Sequence, residues 1–235
     1  MLQRCLEALG SQTVAPLEII VVDNGSTDSS AQVAAAHGAR VLHEPVPGIA
    51  PAASTGYDAA RGDVIVRCDA DTIPPHDWLE RIAARFAADP DLAVLTGPGD
   101  FYGAGRFRSW IARIAYMQGF FLFMGAAIGH WPPFGSNCAF RRRDWDRVSA
   151  RVSRDALVHD DVDLGFVLDP DQRTAYERSL RVGISARSLR GGAVARLRMQ
   201  RAVHTLGLHW RQAPPWERWN RSLKAARERR RRTST

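Results

Sequence analysis

Residues 63–75 read D-V-I-V-R-C-D-A-D-T-I-P-P. Asp63 to Cys68 is a short apolar run of the kind that forms a buried strand, and it delivers Asp69 and Asp71 at its C-terminal end. Pro74 and Pro75 precede a helix expected from His76 to Ala88, which Asp89-Pro90 ends. Open α/β sheets bind ligands beyond the C-terminal ends of their strands, so these two carboxylates stand at a binding edge. The small Ala70 between them lets one carboxylate reach a metal ion while the other faces a nucleotide. Mg²⁺ or Mn²⁺ is typically held by one or two carboxylates and completed by phosphates and water, and such an ion neutralises a departing diphosphate. Taken alone, D-x-D is a weak pattern, equally served by a solvated loop that caps the next helix.

Upstream, helix and strand patterns alternate. Leu2 to Gln12 reads as a helix, Leu17 to Val22 (L-E-I-I-V-V) as a buried strand, Ala31 to His37 as a helix, Ala39 to His43 as a strand and Ala50 to Ala60 as a helix. Leu92 to Thr96 adds a strand downstream. This rhythm predicts an α/β fold with an open, mainly parallel sheet and helices on both faces. Asp23 ends the second of these segments, where an acid can accept hydrogen bonds from a ribose or a base. Asn24-Gly25 supplies a tight turn, and Ser26, Thr27 and Asp28 can cap the following helix. D-N-G-S-T-D is also ordinary turn-and-cap chemistry.

The second half differs. Phe107 to Gly129 is strongly apolar, but its core, Ile114 to Gly129, spans 16 residues and includes Gln118. A spanning helix needs roughly 20 apolar residues, so a buried or interfacial helix is expected, flanked by Arg106, Arg108 and Arg113. Gly135 to Arg143 reads as a loop feeding a strand, and Val158 to Leu168 carries an acidic cluster. Arg227 to Arg232 (R-E-R-R-R-R) reads as a frayed or disordered tail. The 235 residues carry a net charge of +7, almost all of it arginine, with Lys224 the sole lysine. Such a surface suits phosphate-bearing partners: nucleotide sugars, anionic lipid headgroups or nucleic acid. Cys5, Cys68 and Cys138 form no C-x-x-C pair, which argues against a zinc knuckle or disulfide framework and fits a reducing cytoplasm.

Four segments occur in a fixed order: Gln12-Thr13, Glu18 to Asp28, Gly48 to Gly56 (G-I-A-P-A-A-S-T-G) and Asp69 to Pro75. Together they resemble the inverting GT-A glycosyltransferases of family 2, across residues 1 to about 100. The resemblance implies transfer of a sugar from a UDP, GDP or dTDP donor to an acceptor hydroxyl with inversion. It puts Asp23 and Asn24 at the donor, Asp69 at the nucleotide or metal, and Asp71 at a Mg²⁺ or Mn²⁺ ion. Gly135-Ser136-Asn137, with Ala139 to Arg142, is similar to the family's acceptor loop and marks Asn137 as a substrate contact. His159 to Leu164 (H-D-D-V-D-L) resembles its E-D-x-D-L element, which makes Asp160 a substrate-binding residue and Asp161 the catalytic base. Mutual repulsion in the Asp160-Asp161 pair would raise one of the two pKa values. Ser185 to Ser188 is similar to an arginine-bearing stretch of the family; there Arg187 or Arg190 would meet the diphosphate.

The match departs from the family in three places. Met1 starts inside the first helix, so the family's first strand, expected between Leu17–Val22 and Val64–Cys68, is missing. Gly165, Phe166 and Val167 stand where an arginine often follows the acidic element. No Q-x-x-R-W is present, which argues against a processive polysaccharide synthase. Residues 1–105 are expected to bind the nucleotide sugar, 106–200 the acceptor, and 201–235 to form a basic tail. The resemblance is compatible with a cytoplasmic enzyme, peripheral on the inner membrane face and using a lipid-linked acceptor. Competing readings are an inactive remnant, a nucleotidyltransferase, which lacks its usual Gly-rich loop here, and nucleic-acid binding through arginines interleaved with Trp210, Trp216 and Trp219.

Overall fold

The computed structural model describes residues 1–103, 113–189 and 192–233; Arg106, Arg108, Arg190 and the side chain of Arg113 lie outside them. In chain order the first half runs α1 (Leu2–Gly10), β1 (Ile20–Asp23), α2 (Ser30–Ala36), β2 (Arg40–His43), α3 (Ile49–Ala59), β3 (Val64–Arg67), α4 (Trp78–Ala87), β4 (Leu92–Thr96) and β5 (Gly99–Tyr102). A π-helical turn, Arg113–Gln118, leads into α5 (Gly119–Ile128), then β6 (Cys138–Arg141), α6 (Arg142–Val148) and α7 (Asp160–Val167). The chain continues with β7 (Arg173–Tyr176), β8 (Val182–Ser185), α8 (Gly192–Trp210) and α9 (Pro215–Thr233).

The central sheet has the order β3-β6-β4-β7. β4 is buried along its whole length, as its unbroken L-A-V-L-T sequence requires of a strand covered on both faces. On one face Leu92 and Leu95 pack with Trp78, Ile82 and Phe86 of α4. On the other, Val94 and Phe140 meet Tyr57 of α3, Trp145 of α6 and Leu164 of α7. Helices therefore cover both faces, as expected. The pairing is mixed: β4 and β7 are parallel, but β6 runs antiparallel between β3 and β4. A strand from the second half thus completes a sheet begun by the first.

β1 and β2 pair in parallel as a separate two-stranded sheet, backed by Leu6 of α1 and Ala34 of α2. Between β1 and β3 lies an apolar cavity of about 500 Å³, lined by Leu6 and Leu9, by Ile20 and Val22, and by Val64 and Val66. β5 and β8 form a third, parallel pair. Gly183 in β8 exchanges both backbone hydrogen bonds with Ile73, at 2.8 Å each, and so fastens the loop after β3.

The C-terminal tail corrects an expectation. Arg227 to Arg232 continue helix α9 instead of fraying. Packing holds that helix: the Trp219 indole donates to the Ala126 carbonyl at 2.7 Å, and Arg218 stacks on Phe166 while donating to its carbonyl at 2.9 Å. Further along, Arg229 reaches the Pro170 carbonyl at 3.1 Å. Gly165 serves the same packing, since a Cβ there would press on Ile128 and Pro133. Among the described residues no helix is long and apolar enough to cross a membrane.

Candidate active site

A pocket of about 260 Å³ opens where the end of β3, the loop before β6 and the start of α7 converge. β3 carries Arg67 into its wall and releases Asp69 and Asp71 at its rim. The loop between them is a tight turn: the Thr72 N–H donates to the Asp69 carbonyl at 2.9 Å, and the Asp69 N–H to Thr72 Oγ1 at 3.2 Å. Tyr102 anchors the far side by donating its hydroxyl to the Asp71 carbonyl at 2.6 Å. The Asp69 carboxylate accepts a bond from Ser136 Oγ at 2.5 Å. Asp71 makes no ion pair among the described residues. Its partial burial, and then the neighbouring Asp69 charge, push its carboxyl up, while Arg187 pulls it back. Two crowded carboxylates, one of them lacking a counter-charge, fit a divalent cation.

Asp160 and Asp161 open α7, where acids are favoured by the exposed N–H groups of a first helical turn. Both are buried, and each has its own basic partner. Arg67 Nη1 lies 2.8 Å from Asp160 and its other terminal nitrogen 3.6 Å from Asp69, so one buried guanidinium links the two acidic motifs. Asp161 is gripped by His159 Nδ1 at 2.6 Å and by the Gly135 N–H at 2.8 Å. The pair therefore splits. Burial pushes Asp160 up against the pull of Arg67. Burial also acts on Asp161, but the His159 charge and hydrogen bond, then Arg67 and the Gly135 N–H, bring it down to about 2. His159 answers in kind: burial would lower it, but the Asp161 charge and hydrogen bond raise it above the usual value near 6.5. The base candidate is thus the member of the pair whose pKa falls. Among the described residues, the ligand atoms of His159, Asp160 and Asp161 also lie within 4.8 Å of one another. Those atoms face one another, Arg67 and a backbone N–H, so Asp69 and Asp71 are the better cation pair.

Asp163, the third acid, points away. It accepts from His209 Nε2 at 2.7 Å and from the Ser153 N–H at 2.8 Å, and fastens α7 to α8. A Cβ at position 135 would push on the Arg67 guanidinium and force it to shift from its two acids.

Two residues expected to contact substrate lie outside the pocket wall. Asn137 is fully buried, with its amide oxygen held by the Trp78 indole at 3.0 Å and its nitrogen by the carbonyls of Leu180 and Pro98 at 2.6 and 3.1 Å. It braces the loop before β6 from behind and is not in the pocket wall. Asn24 likewise ties its amide to the carbonyls of Glu44 and Val46 and to the Gly48 N–H. Asp23 ends β1 and accepts from the Ser26 N–H at 3.0 Å; it follows Val22, which lines the apolar cavity, and is not in the pocket wall. Arg187 is exposed just beyond β8, with its charge felt at Asp71. Arg67, His159, Ser136, Arg198 and Arg201 line the pocket without having been singled out from the sequence as site residues. Arg67 alone carried a signal: an arginine inside an apolar strand needs a buried partner.

The match to the profile of Glycosyl transferase family 2 covers residues 1–148. The uncharacterized glycosyltransferase Rv0539 of Mycobacterium tuberculosis is 32% identical over 185 residues, which is 78% of this chain and 74% of that protein. The uncharacterized glycosyltransferase EpsJ of Bacillus subtilis is 35% identical over 115 residues, 47% of this chain but only 33% of EpsJ. Among solved structures, the mannosyltransferase PcManGT from Pyrobaculum calidifontis, in complex with GDP-Man and Mn²⁺, superposes with a TM-score of 0.62 at 19% identity, over 95% of this chain and 69% of that one. TarS of S. aureus in complex with UDP-GlcNAc gives 0.62 at 16% identity, over 83% and 56%. These likenesses carry the GT-A fold, and the profile carries the lineage: this chain belongs to glycosyl transferase family 2.

Proposed function

We propose that the protein transfers a sugar, with inversion, from a nucleoside diphosphate donor to an acceptor hydroxyl. The observation that carries this reading is the opening of Asp69, Asp71 and Asp161 into one pocket. In it, Asp69 and Asp71 hold Mg²⁺ or Mn²⁺, which would supply positive charge to the leaving diphosphate. Asp23 serves the nucleoside, and Arg187 meets the diphosphate beside Asp71. Asp161, ionised and aimed by the Gly135 N–H and His159, takes the acceptor proton as the acceptor oxygen bonds to the anomeric carbon. The bond from that carbon to the diphosphate oxygen breaks with its electron pair, through a transition state of oxocarbenium character. Arg67 keeps Asp160 paired and fixes the two acidic motifs relative to each other.

The test is a panel of UDP-, GDP- and dTDP-sugars scored by Mn²⁺-dependent thermal stabilisation. At least one should raise the melting temperature only when the ion is present, and a panel with no such response would overturn the reading.

His159 sets the pH response. While it is protonated, its charge holds Asp161 down to about 2 and makes it a weak base. Because the His159 pKa is raised, transfer should increase as pH climbs through a midpoint above that of an ordinary histidine. In His159→Gln this limb should vanish and be replaced by one in the carboxylate range. An unchanged limb in the variant's kcat profile would refute the assignment.

Peripheral contact with an anionic membrane is part of the same proposal, with a lipid-linked acceptor presented there. Leu122 and Phe123 of α5 are 70% and 71% exposed, and Trp216, Trp219 and Leu223 of the arginine-rich α9, which packs on α5 through Trp219, are exposed as well. A basic helix with apolar and aromatic residues suits a headgroup boundary. The protein should float with anionic but not neutral vesicles, and Phe123→Ser should weaken that binding; flotation with neither vesicle would rule the contact out.

A further inference from the structure

Helix α8 turns two arginines into the pocket, Arg198 and Arg201, one turn apart on the same face. Their place relative to the acids follows from how α8 is docked. Thr205, one turn beyond Arg201, accepts the His159 N–H on its Oγ1 at 2.9 Å, and His209 holds Asp163 at 2.7 Å. The helix thus packs on α7, which carries Asp161, so the arginines approach from the side of the base candidate. The charge of Arg187, by contrast, acts on Asp71.

The charges these arginines would neutralise are not among the pocket acids. Arg67 pairs with Asp160 and Asp69, and His159 with Asp161. Among the described residues neither Arg198 nor Arg201 has a carboxylate partner. The Arg198 guanidinium rests over the Tyr116 ring, 5.4 Å from its centroid. Arg201 Nε is buried without any hydrogen-bond partner. A buried guanidinium N–H without an acceptor is costly, and the planar fork of an arginine matches a phosphate.

We infer that Arg198 and Arg201 bind a phosphate group on the acceptor, so that the acceptor is a hydroxyl compound that also carries a phosphate ester. This rests on the transferase reading and adds the acceptor's chemical class to it. The phosphate sits on the α8 side of the pocket and presents the hydroxyl to Asp161, while the donor's diphosphate occupies the Asp71 side. Leu197 also lines the pocket and is 43% exposed, so the ester could be a soluble phosphate or a lipid headgroup.

The test is calorimetric titration of the full chain saturated with Mn²⁺ and the nucleotide that stabilises it, using glycerol 3-phosphate, glycerol and a short-chain lysophosphatidic acid. The wild type should bind glycerol 3-phosphate at least about 10-fold more tightly than glycerol, and Arg198→Gln and Arg201→Gln should each erase about 10-fold of that preference while nucleotide–Mn²⁺ affinity stays within about twofold. Arg201→Lys, which keeps the charge, should recover part of the loss and separates recognition from misfolding. Tighter binding of the lysophosphatidic acid assigns the lipid source, and equal binding the soluble one. The inference is overturned if the loaded wild type does not distinguish glycerol 3-phosphate from glycerol, or if the variants keep the preference. It is equally overturned if they lose nucleotide affinity instead, which would give the arginines to the donor. A wild type that binds no nucleotide with Mn²⁺ removes the transferase reading itself, and the inference with it.

Discussion

Asp71→Ala abolishes the effect of Mn²⁺ on nucleotide binding and leaves the metal-free protein at least as stable as the wild type. Both halves of this expected result come from one environment. Asp71 is crowded by Asp69 and partly buried, and its carboxyl is pushed up as a consequence. A carboxyl whose pKa rises on folding binds protons more tightly in the folded state, so its charge weakens the fold as pH rises from its unfolded pKa through its folded one. Removing the charge relieves that cost near neutral pH. Removing the ligand takes away half of the proposed cation pair. Loss of even an indirect metal partner typically lowers affinity 10- to 100-fold, so the nucleotide should bind at least about 100-fold more weakly in Mn²⁺. Thermal melts with and without Mn²⁺ and nucleotide read both quantities. An Asp71→Ala protein with an intact Mn²⁺ response would move the cation elsewhere, with His159, Asp160 and Asp161 the next group to examine.

Asp161→Asn is expected to do the converse, sparing donor binding and removing transfer. Asparagine preserves the shape and can still accept the Gly135 N–H, so the loop before β6 keeps its anchor. It cannot take a proton from the acceptor. General-base removal costs about 10²- to 10⁴-fold in kcat, and nucleotide–Mn²⁺ affinity should change by no more than about twofold. Single-turnover transfer alongside equilibrium nucleotide binding separates the two effects. Transfer within tenfold of wild type would show that another group takes the proton, and Asp160 is then the nearest acid on the same turn.

The fold was legible where sequence reports local burial. β2, β3 and β4 lie within a residue or two of their apolar runs, and α4 begins just after the predicted proline pair. β1 starts later than its run, at Ile20 and not Leu17, which is 75% exposed. The insertion of β6 between β3 and β4 was not legible, because C-A-F-R carries no mark of its partners or direction. Motif positions showed which residue types gather at the site, but not where each side chain points. Asn137 and Asn24 sit on the expected loops, yet both turn their amides toward backbone. The splitting of Asp160 from Asp161 was hidden for the same reason: repulsion between neighbours is readable, but the buried Arg67 that takes one acid arrives from a distant strand. The tail misled because a run of arginines looks self-repelling, whereas Trp219 and Arg218 fasten its helix to α5 and α7.

The position of β6 has a consequence for how the chain can be made. β3 and β4 are successive strands in the sequence, yet they never touch, because Cys138–Arg141 must slide in between them. On the ribosome, everything up to residue 137 emerges with two apolar strand edges facing an empty lane, and such edges attract other chains. Contacts between distant parts of a chain also form slowly. Vectorial synthesis therefore leaves this sheet unfinished until β6 is made. The sheet closes only once Cys138–Arg141 has arrived, and a product cut short before Cys138 should be captured by chaperones or lost to aggregation.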